Sequence, residues 1–435
     1  MISIDRALGI TTDGRQLKTN WHSTDGIKLW IPEDYQESAK KHLEQEFPNE
    51  TFKRYYWANE LSGTPDERLY KIPRTHEVCD DFSDSILWKY EKPIINFTMS
   101  KHQRFTTAFK LAKTNTFRLG SAKLWGSKRK AARSFGGNMQ NWEKSTRSLA
   151  IADDGMSFAQ ADQAGAEALI VAYLCPPGRF RDLFLHGIKP HVYLGVFFPE
   201  HWIKQFPMVH EFAKTPIAEL KNHPNWPAFA KAVAASDGNP SASRYYYFYK
   251  TTCHSGNYGV KENTFVEGIL AKSGGKVVIS PATGAKFLST YRDVAFPELH
   301  IFHRYVEQRI EKCGELRNLF GYPRKFRKLK FDEKEAYAFI PQSTVGCITN
   351  IAVTRMTDFI IENNLHDWIV LNNCHDSFLV QAPDQDIKQA AAKMTELLNQ
   401  NLVGIRGDTF KMRSEVKIGK NWGDYNEKYN PQGLK

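Results

Sequence analysis

Cysteine is scarce in this sequence and is not arranged in pairs. The six cysteines are scattered along the chain without a Cys-x-x-Cys spacing, which argues against a zinc module and against a disulfide framework. No run approaches the roughly 20 apolar residues of a membrane span, and residues 1–14 lack the basic segment and apolar run of a signal peptide. These absences favour a cytoplasmic protein in a reducing setting, with no membrane partner.

A phosphate-binding loop of the G-x-x-x-x-G-K-[ST] type is also missing. Gly274-Gly275-Lys276 comes nearest to it, but Val277 follows where the loop requires Ser or Thr. The sequence shows no internal repeat, and residues 1–93 carry no catalytic motif. A Walker-type ATPase is therefore unsupported.

The chain is long and strongly basic. Its 435 residues, of which 41% are hydrophobic and 25% charged, suffice for two or three domains with a large core. The formal net charge of +11 has two interpretations, a polyanionic partner or a generically basic protein. Charge alone does not separate them.

One stretch changes from strand to helix at an isolated carboxylate. Alternation over Phe158–Ala161 predicts a strand that Asp162 ends, and the apolar run Ala166–Leu174 predicts a helix. Asp is a favoured helix N-cap, which is one interpretation of Asp162. The other is functional, because burying an unpaired charge costs several kcal/mol and Asp162 is poor core material.

A second aspartate occupies a similar position. Asp376 lies in the polar connection between two apolar runs, Trp368–Leu371 and Phe378–Val380, which predict a hairpin. Two carboxylates at strand ends cannot both stay ionised together without a cation. Mg²⁺ commonly uses one or two carboxylates plus substrate phosphates. Asp162 and Asp376 therefore predict a two-metal site for phosphoryl transfer.

The segment 244–259 predicts a nucleotide-binding helix. A spacing of four residues puts Tyr246, Lys250, His254 and Tyr258 on one helical face. A cation flanked by rings suits a triphosphate with a stacked base. An aromatic core stripe is the alternative interpretation.

Other segments add to a nucleic-acid interpretation. Basic residues with interleaved aromatics over 123–135 suit a phosphate backbone and exposed bases, although a solvated loop fits as well. Residues 342–364 and 386–402 predict helices, the second amphipathic, and the proline-rich stretch 200–240 predicts an insertion. His191 precedes a helical run, where a capping or core role is the alternative.

Several of these residues form one ordered set of motifs. The first motif has Asp162, then Glu167 five residues later, then Ala172-Tyr173-Leu174 after another five. The second has Lys250 eight residues before Tyr258-Gly259, and the third is Cys374-His375-Asp376-Ser377. Supporting matches are Thr114-x-Thr116-x-Arg118-Leu119-x-Ser121, Asn138-Met139-Gln140-Asn141, His191 and Gln342. In this order, from about residue 94 to 425, the chain resembles the polymerase region of family A DNA polymerases, the bacterial polymerase I and short phage replicative type.

The resemblance implies an α+β (mixed α/β) fold of the right-hand polymerase type. We expect a palm with an antiparallel sheet in residues 94–174 and 331–435, and helical fingers in 175–330 with the insertion near 200–240. The N-terminal region 1–93 would form a reduced or divergent thumb.

The resemblance also implies roles for individual residues. By similarity, Asp162, Asp376 and the Gln163 carbonyl bind two Mg²⁺ ions, with Mn²⁺ as a substitute, and the catalytic residues are Asp162, Asp376 and Lys250. The implied nucleotide-binding residues are His191, Lys250, His254, Tyr258, Glu167, Tyr246 and Arg244. The implied DNA-binding residues are Arg118, Asn138, Gln140, Asn141, Gln342, His375, Lys128, Arg129 and Lys130.

Three of these positions depart from the family pattern. Tyr246 stands where the family has Arg, with Arg244 two residues away, and His254 replaces Phe or Tyr. Ser377 replaces Glu, and His-Asp-Ser is the form found in single-subunit RNA polymerases. Those enzymes lack the sugar-selecting glutamate that Glu167 matches, so DNA synthesis is favoured.

The expected function is template-directed DNA synthesis, adding dNTPs to a primer 3′ end, with primer–template DNA and dNTPs as partners. The alternatives are a ribonucleotide-tolerant or primase-like enzyme, and an inactive nucleic-acid-binding subunit. No Asp-x-Glu follows Asp5, so we expect no proofreading domain, and a separate polypeptide would supply an exonuclease, thumb or processivity function. The short, divergent chain resembles a phage product, which predicts the bacterial host cytoplasm.

Overall fold

The fold is mixed α/β, as the sequence predicts. The computed structural model describes residues 18–20, 27–31, 53–58, 65–72, 107–110, 114–122, 138–142, 144–234, 244–272, 278–326 and 329–435. The strands are β1 (Lys18–Asn20), β2 (Ile27–Ile31), β3 (Lys53–Ala58), β4 (Pro65–Ile72), β5 (Ala108–Lys110), β6 (Gly120–Ala122), β7 (Met156–Gln163), β8 (Glu315–Arg317), β9 (Pro323–Lys325), β10 (Ile369–Asn373), β11 (Ser377–Pro383), β12 (Asn401–Val403), β13 (Thr409–Lys411) and β14 (Ser414–Gly419). The α-helices are α1 (Ala166–Leu174), α2 (Arg179–Leu185), α3 (Pro190–Leu194), α4 (Val209–Phe212), α5 (Ile217–Leu220), α6 (Trp226–Ala234), α7 (Arg244–Asn257), α8 (Glu262–Lys272), α9 (Pro281–Ser289), α10 (Leu299–Cys313), α11 (Leu329–Glu362) and α12 (Ile387–Leu398).

The N-terminal strands form a sheet of their own. Strands β1 to β4 make a four-stranded antiparallel sheet in the order β1-β2-β4-β3. The charged sequence from Asp34 to Glu46 predicts a helix, and these residues fall outside the described ranges. The assignment of region 1–93 to a reduced thumb stays a prediction.

The central sheet has the order β10-β11-β7-β14, with every neighbouring pair antiparallel. Strand β7 lies between β11 and β14, and its two faces differ sharply. Ala159, Ala161 and Gln163 are buried, whereas Gln160 is half-buried and Asp162 is exposed. Because side chains alternate along a strand, the even-numbered residues of β7 share one face, which is open at Asp162.

Two helices cover the other face of this sheet. Helix α12 packs on β7 and β14, and α11 packs on α12 and α1. The predicted amphipathic pattern of α12 is confirmed, with Ile387, Ala391 and Met394 buried. Helix α11 starts at Leu329, well before the predicted residue 342. It continues through Pro341, although proline usually breaks a helix because it lacks an N–H and crowds the preceding turn.

The region 179–313 is almost entirely helical. Helices α3, α6, α8 and α9 surround α7, the helix predicted to bind nucleotide. The stretch predicted as an insertion forms the short helices α4, α5 and α6, whose rings Phe212, Trp226 and Phe229 are buried in the main core. It therefore packs as part of the helical body and supports α7 from one side.

The C-terminal segment packs against the face of the central sheet that carries Asp162. Trp142, Phe158, Leu379, Trp422 and Leu434 make a second core cluster there. Trp422 Nε1 donates a hydrogen bond to Gln160 Oε1 at 2.8 Å. Gln160 is two residues before Asp162 and lies on the same face of β7. The second core cluster therefore borders the part of this face that carries Asp162.

Throughout the described ranges, every helix is either too short or too polar to traverse a lipid bilayer.

Candidate active site

The two aspartates of the predicted metal site lie at the ends of neighbouring strands. In the antiparallel register of β11 and β7, Ser377 is opposite Asp162, so Asp376 comes one residue before the partner of Asp162. The main-chain N–H of Gln163 donates to the carbonyl of Asp376 at 3.0 Å. The helix-cap interpretation of Asp162 is wrong, because the N-cap of α1 is Gly165, which has a φ of 61°.

The charges of both carboxylates act on the Cys374 thiol. Burial raises the pKa of the Cys374 thiol to about 12, with the negative charges of Asp376 and Asp162 adding to that effect. Asp162 is exposed and Asp376 half-buried. Two like charges in one place are unfavourable without a cation, so the arrangement suits a cationic ligand.

The turn that carries Asp376 has an unusual backbone. His375 has a φ of 69°, a left-handed conformation that is uncommon for residues other than glycine and costs about 1–3 kcal/mol. The turn is closed by Cys374 N–H donating to the Ser377 carbonyl at 2.7 Å and by Asp376 N–H donating to the Cys374 carbonyl at 2.8 Å. His375 N–H donates to Asn373 Oδ1 at 3.2 Å.

Ser377 faces the same side as Asp162. Its hydroxyl accepts a hydrogen bond from Gln160 Nε2 at 3.3 Å, and the residue is buried. The position that departs from the family pattern therefore belongs to a packed hydrogen-bond chain that leads through Gln160 to Trp422.

Glu167 joins two other predicted site residues, Tyr258 and Arg118. The hydroxyl of Tyr258 donates to Glu167 Oε2 at 2.5 Å. The Arg118 guanidinium forms a salt bridge and hydrogen bond with Glu167 Oε1. The three residues come from α1, from the end of α7 and from the segment before β6, so this cluster ties three parts of the chain together.

The charge state of Glu167 follows from its neighbours. Burial alone would raise the pKa of its carboxyl. The Arg118 guanidinium, the Tyr258 hydroxyl and the nearby His254 outweigh burial and hold that pKa below its ordinary value. Burial and the Glu167 charge raise the pKa of the Tyr258 phenol well above its usual range. Tyr258 is therefore a neutral donor to an ionised carboxylate.

Helix α7 presents the predicted nucleotide-binding residues, and the predicted helix is confirmed. Lys250 and His254 are exposed on it, and the buried Tyr258 directly follows its last residue. The rings of His254 and Tyr258 meet edge to face with centroids 5.2 Å apart. His191 is half-buried on α3, which packs against α7. Arg244 and Tyr246 lie in the first turns of α7, and their side chains fall outside the described part of the structure.

A glycine on α11 lets the Arg118 segment approach closely. A Cβ at Gly346 would lie 3.0 Å from Arg118 Cγ and 3.1 Å from the Thr116 carbonyl. Burial lowers the pKa of His375, and the charge of Arg118 lowers it further, which places Arg118 beside the Asp376 turn as well. Gln342 lies one turn earlier on α11 and is half-buried.

The amides 138–141 divide into two kinds. Asn138 and Asn141 are exposed. Gln140 is buried, and its Nε2 donates to the carbonyls of Leu119 and Asn373 at 2.9 and 2.8 Å. Gln140 thus links the Arg118 segment to the end of β10. Lys128, Arg129 and Lys130 lie outside the described residues, so their predicted DNA contact stays a prediction.

The predicted magnesium ligands are the carboxylates of Asp162 and Asp376 and the main-chain carbonyl of Gln163. No group of three or more His, Cys, Asp or Glu side chains in the described ranges is arranged to hold a metal ion. Mg²⁺ is usually bound through one or two carboxylates, water and substrate phosphates rather than by an all-protein cage. Asp162 and Asp376, with main-chain oxygen from Gln163, fit that kind of site.

The sequence did not identify the buried polar residues that hydrogen-bond to the Asp376 turn and to the Arg118 segment. Thr349 and Asn350 on α11 and Asn373 on β10 bond to the turn and to the Arg118 segment. The sequence signal was a set of polar residues among the apolar residues in the middle of α11, and the structure buries three of them, Ser343, Thr344 and Thr349. Their partners are distant in sequence, so the pattern alone did not identify them.

Comparison with known proteins supports the fold. No family model and no curated protein matches the chain. Among solved structures, the polymerase domain of Pol1 from M. smegmatis in complex with DNA primer-template and dNTP matches with a TM-score of 0.55 at 15% identity. The match covers 88% of this chain, which spans 60% of the length of that one. At this identity the likeness concerns the fold, and it shows that this chain has a polymerase-like fold.

Proposed function

We propose that the chain is a template-directed DNA polymerase that adds dNTPs to a primer 3′ end by two-metal nucleotidyl transfer. One observation carries the proposal. The Arg118–Glu167–Tyr258 cluster joins the strand–helix unit that bears Asp162 to the end of the helix that presents Lys250. A carboxylate pair and a cationic helix joined in this way suit phosphoryl transfer from a triphosphate.

Magnesium would be held by Asp162, Asp376 and the Gln163 carbonyl, together with substrate phosphates. When bound, it supplies activation of the primer hydroxyl and neutralisation of the charge that develops on the leaving pyrophosphate. The exposed carboxylate of Asp162 faces the open part of the sheet, where a primer end has access.

Residues of α7 and α3 handle the triphosphate. Lys250 and His191 bind its phosphates, and Lys250 donates a proton to the departing pyrophosphate. His254 lies one turn beyond Lys250 on the same face and stacks on the incoming base. Tyr246 and Arg244 lie at the start of this helix and contribute to the same nucleotide site.

Sugar selection belongs to Glu167 and Tyr258. Because Arg118 and Tyr258 fix both carboxylate oxygens of Glu167, the side chain cannot swing aside to admit a ribose 2′-OH. A half-buried carboxylate whose two oxygens are already bonded also makes a poor partner for an additional hydroxyl. This pair therefore favours dNTPs over rNTPs.

DNA is bound along the same side. Arg118 and Gln342 read the minor-groove edge of the new base pair, and His375 supports the primer end. The exposed amides Asn138 and Asn141 contact the duplex, with Gln140 holding their segment in place. Lys128, Arg129 and Lys130 supply phosphate contacts, which are strongly dependent on salt.

The solved structure that this chain resembles contains DNA primer-template and dNTP, which supports the same partners here. The test is primer extension by the purified chain with Mg²⁺ and labelled dNTP or rNTP. We expect incorporation of the dNTP complementary to the template base and much less of the matching rNTP. An Asp376→Asn preparation made in parallel controls for contaminating host polymerase.

Two other results of the primer-extension assay would replace the proposed function. Equal use of dNTP and rNTP would replace the proposal with a ribonucleotide-tolerant enzyme. Incorporation of neither, while primer–template is still bound, would refute the polymerase proposal in favour of a binding subunit.

A further inference from the structure

Thr349 lies behind the two carboxylates and is bonded to the neighbour of each. Its side chain is buried in the middle of α11. Gln163 Nε2 donates to Thr349 Oγ1 at 2.7 Å, and Thr349 Oγ1 donates to the His375 carbonyl at 2.9 Å. Gln163 follows Asp162 in the chain and His375 precedes Asp376, so one hydroxyl connects the two aspartates.

The Thr349 hydroxyl donates its single proton to the turn that carries Asp376, at the His375 carbonyl. The Val345 carbonyl lies 3.2 Å from Thr349 Oγ1, farther than the His375 carbonyl at 2.9 Å. A threonine hydroxyl donates one hydrogen bond and accepts others. With Gln163 donating to it, the hydroxyl acts as a relay from strand β7 through helix α11 to the turn.

Both peptide groups that flank Asp376 are thereby attached to Gln163. The main-chain N–H of Gln163 donates to the Asp376 carbonyl at 3.0 Å, which belongs to the peptide group after Asp376. The His375 carbonyl belongs to the peptide group before Asp376 and is held through Thr349. Fixing both groups fixes the direction of the Asp376 side chain relative to β7.

The neighbouring residue of α11 supports the same turn. Asn350 Oδ1 accepts from Asn373 Nδ2 at 3.1 Å, and Asn373 Oδ1 accepts from His375 N–H at 3.2 Å. Asn350 Nδ2 donates to the Phe117 carbonyl at 2.8 Å, next to Arg118. Consecutive residues of one helix thus hold the left-handed turn and the Arg118 segment.

We propose that Thr349 is a positioning residue that sets the spacing and direction of Asp162 and Asp376. The proposal rests on the proposed polymerase function and adds a residue that touches neither substrate nor metal. A left-handed His375 is intrinsically unfavourable, so the turn relaxes when the bond to its carbonyl is lost. Displacing a reacting group by about 1 Å can cost about a hundredfold in rate.

The test compares Thr349→Val, which keeps the shape and removes the hydroxyl, with Thr349→Ser, which keeps the hydroxyl. The matched control is Thr354→Val, because Thr354 is exposed on the same helix and bonds only within it, to the Asn350 carbonyl. Single-nucleotide incorporation gives kcat and KM for dNTP. Electron paramagnetic resonance gives the Mn²⁺ affinity of the ternary complex with a dideoxy-terminated primer.

We expect Thr349→Val to lower kcat by about tenfold to a hundredfold and to weaken Mn²⁺ binding, with KM for dNTP and affinity for primer–template within twofold of wild type. Thr349→Ser and Thr354→Val should stay close to wild type in every measurement. Gln163→Met removes the same hydrogen bond from the other side. It leaves the bond from Thr349 to the His375 carbonyl in place, so it should give a smaller loss in the same direction, and combination with Thr349→Val should add little to the loss of Thr349→Val alone.

The outcomes that overturn the inference differ from those that overturn the function. If wild type is active and Thr349→Val keeps its kcat and Mn²⁺ affinity, Thr349 does not position the carboxylates. If Thr349→Val does not fold, Gln163→Met decides the question by the same measurements, because an unchanged kcat and Mn²⁺ affinity would show that this relay does not position the carboxylates. A wild-type chain that incorporates no nucleotide refutes the proposed polymerase, and the positioning role with it.

Discussion

The hydroxyl of Tyr258 donates to the Glu167 carboxylate at 2.5 Å and so joins the end of α7 to the first turn of α1. Glu167 also binds Arg118 through its other oxygen. Helix α7 and the strand–helix unit that carries Asp162 are therefore connected through one ionised carboxylate. Two variants of this cluster, Glu167→Ala and Tyr258→Phe, test the proposed role in sugar selection.

Glu167→Ala should relax sugar selection. Its removal opens space at the 2′ position, so the ratio of kcat/KM for dNTP over rNTP should fall by at least about tenfold. Tyr258→Phe removes one hydrogen bond and keeps the ring, so its effect on the ratio should be smaller. Glu396→Ala is the matched control, since Glu396 pairs with Lys393 on an exposed face. An unchanged ratio in Glu167→Ala would remove Glu167 from sugar selection.

Asp162→Asn and Asp376→Asn should each abolish extension while sparing DNA binding. Each substitution keeps the shape of the side chain and removes the charge that a metal ion needs, so kcat should fall by at least about a hundredfold. Fluorescence anisotropy with labelled primer–template checks that binding stays within twofold. Asp384→Asn, at an exposed aspartate paired with Lys420, should retain activity. Near-normal extension by either active-site variant would contradict the two-metal assignment.

Gly256→Ala should destabilise the helical region around α7. A Cβ at Gly256 would lie 2.8 Å from Tyr291 Cε1 and closer still to Cδ1, and the Tyr291 ring is fully buried. Overpacking of this kind costs about 1–3 kcal/mol. Gly268→Ala on α8 is the matched control, because its nearest contact would be Thr251 Cγ2 at 4.0 Å. That variant should be neutral or stabilised by up to about 1 kcal/mol, as measured by denaturant unfolding.

His303 should make the protein less stable in mild acid. Burial lowers the pKa of His303 from 6.5 to about 4, with Arg292 and His300 adding to that effect and Glu307 opposing it. Its Nε2–H donates to the Asn257 carbonyl at 2.8 Å. Between pH 6.5 and 4 the unfolded chain binds the proton and the folded protein does not. Stability is therefore lost as pH falls through that window, by about 3 kcal/mol in total.

The measurement compares unfolding free energy against pH for wild type and His303→Gln. The wild-type slope should exceed that of the variant by up to about 1.4 kcal/mol per pH unit. His210→Gln, at an exposed histidine of α4, controls for removal of a histidine and should follow wild type. Parallel profiles for wild type and His303→Gln would show that His303 does not titrate in this way.

Periodicity predicted the elements that carry the site. The alternation of Phe158–Ala161 gave strand β7, the two apolar runs around Asp376 gave the β10–β11 hairpin, and the four-residue spacing of Lys250 and His254 gave α7. These features are local, because strand and helix periods are written in consecutive residues. The helix-cap interpretation of Asp162 was wrong because the strand runs one residue further and Gly165 supplies the cap.

The amino-acid sequence by itself determined which residues have the chemistry for the proposed nucleotidyl transfer and in what order they occur. Tertiary structure decided which of them share a charge or a hydrogen bond. The Arg118–Glu167 pair spans 49 residues, Gln163 and Thr349 are 186 apart, and Gln140 and Asn373 are 233 apart. Such pairs follow from strand register and helix packing, which local pattern does not encode. The spacing of the two carboxylates is therefore a property of the packed sheet and helix α11, not of the motifs that contain them.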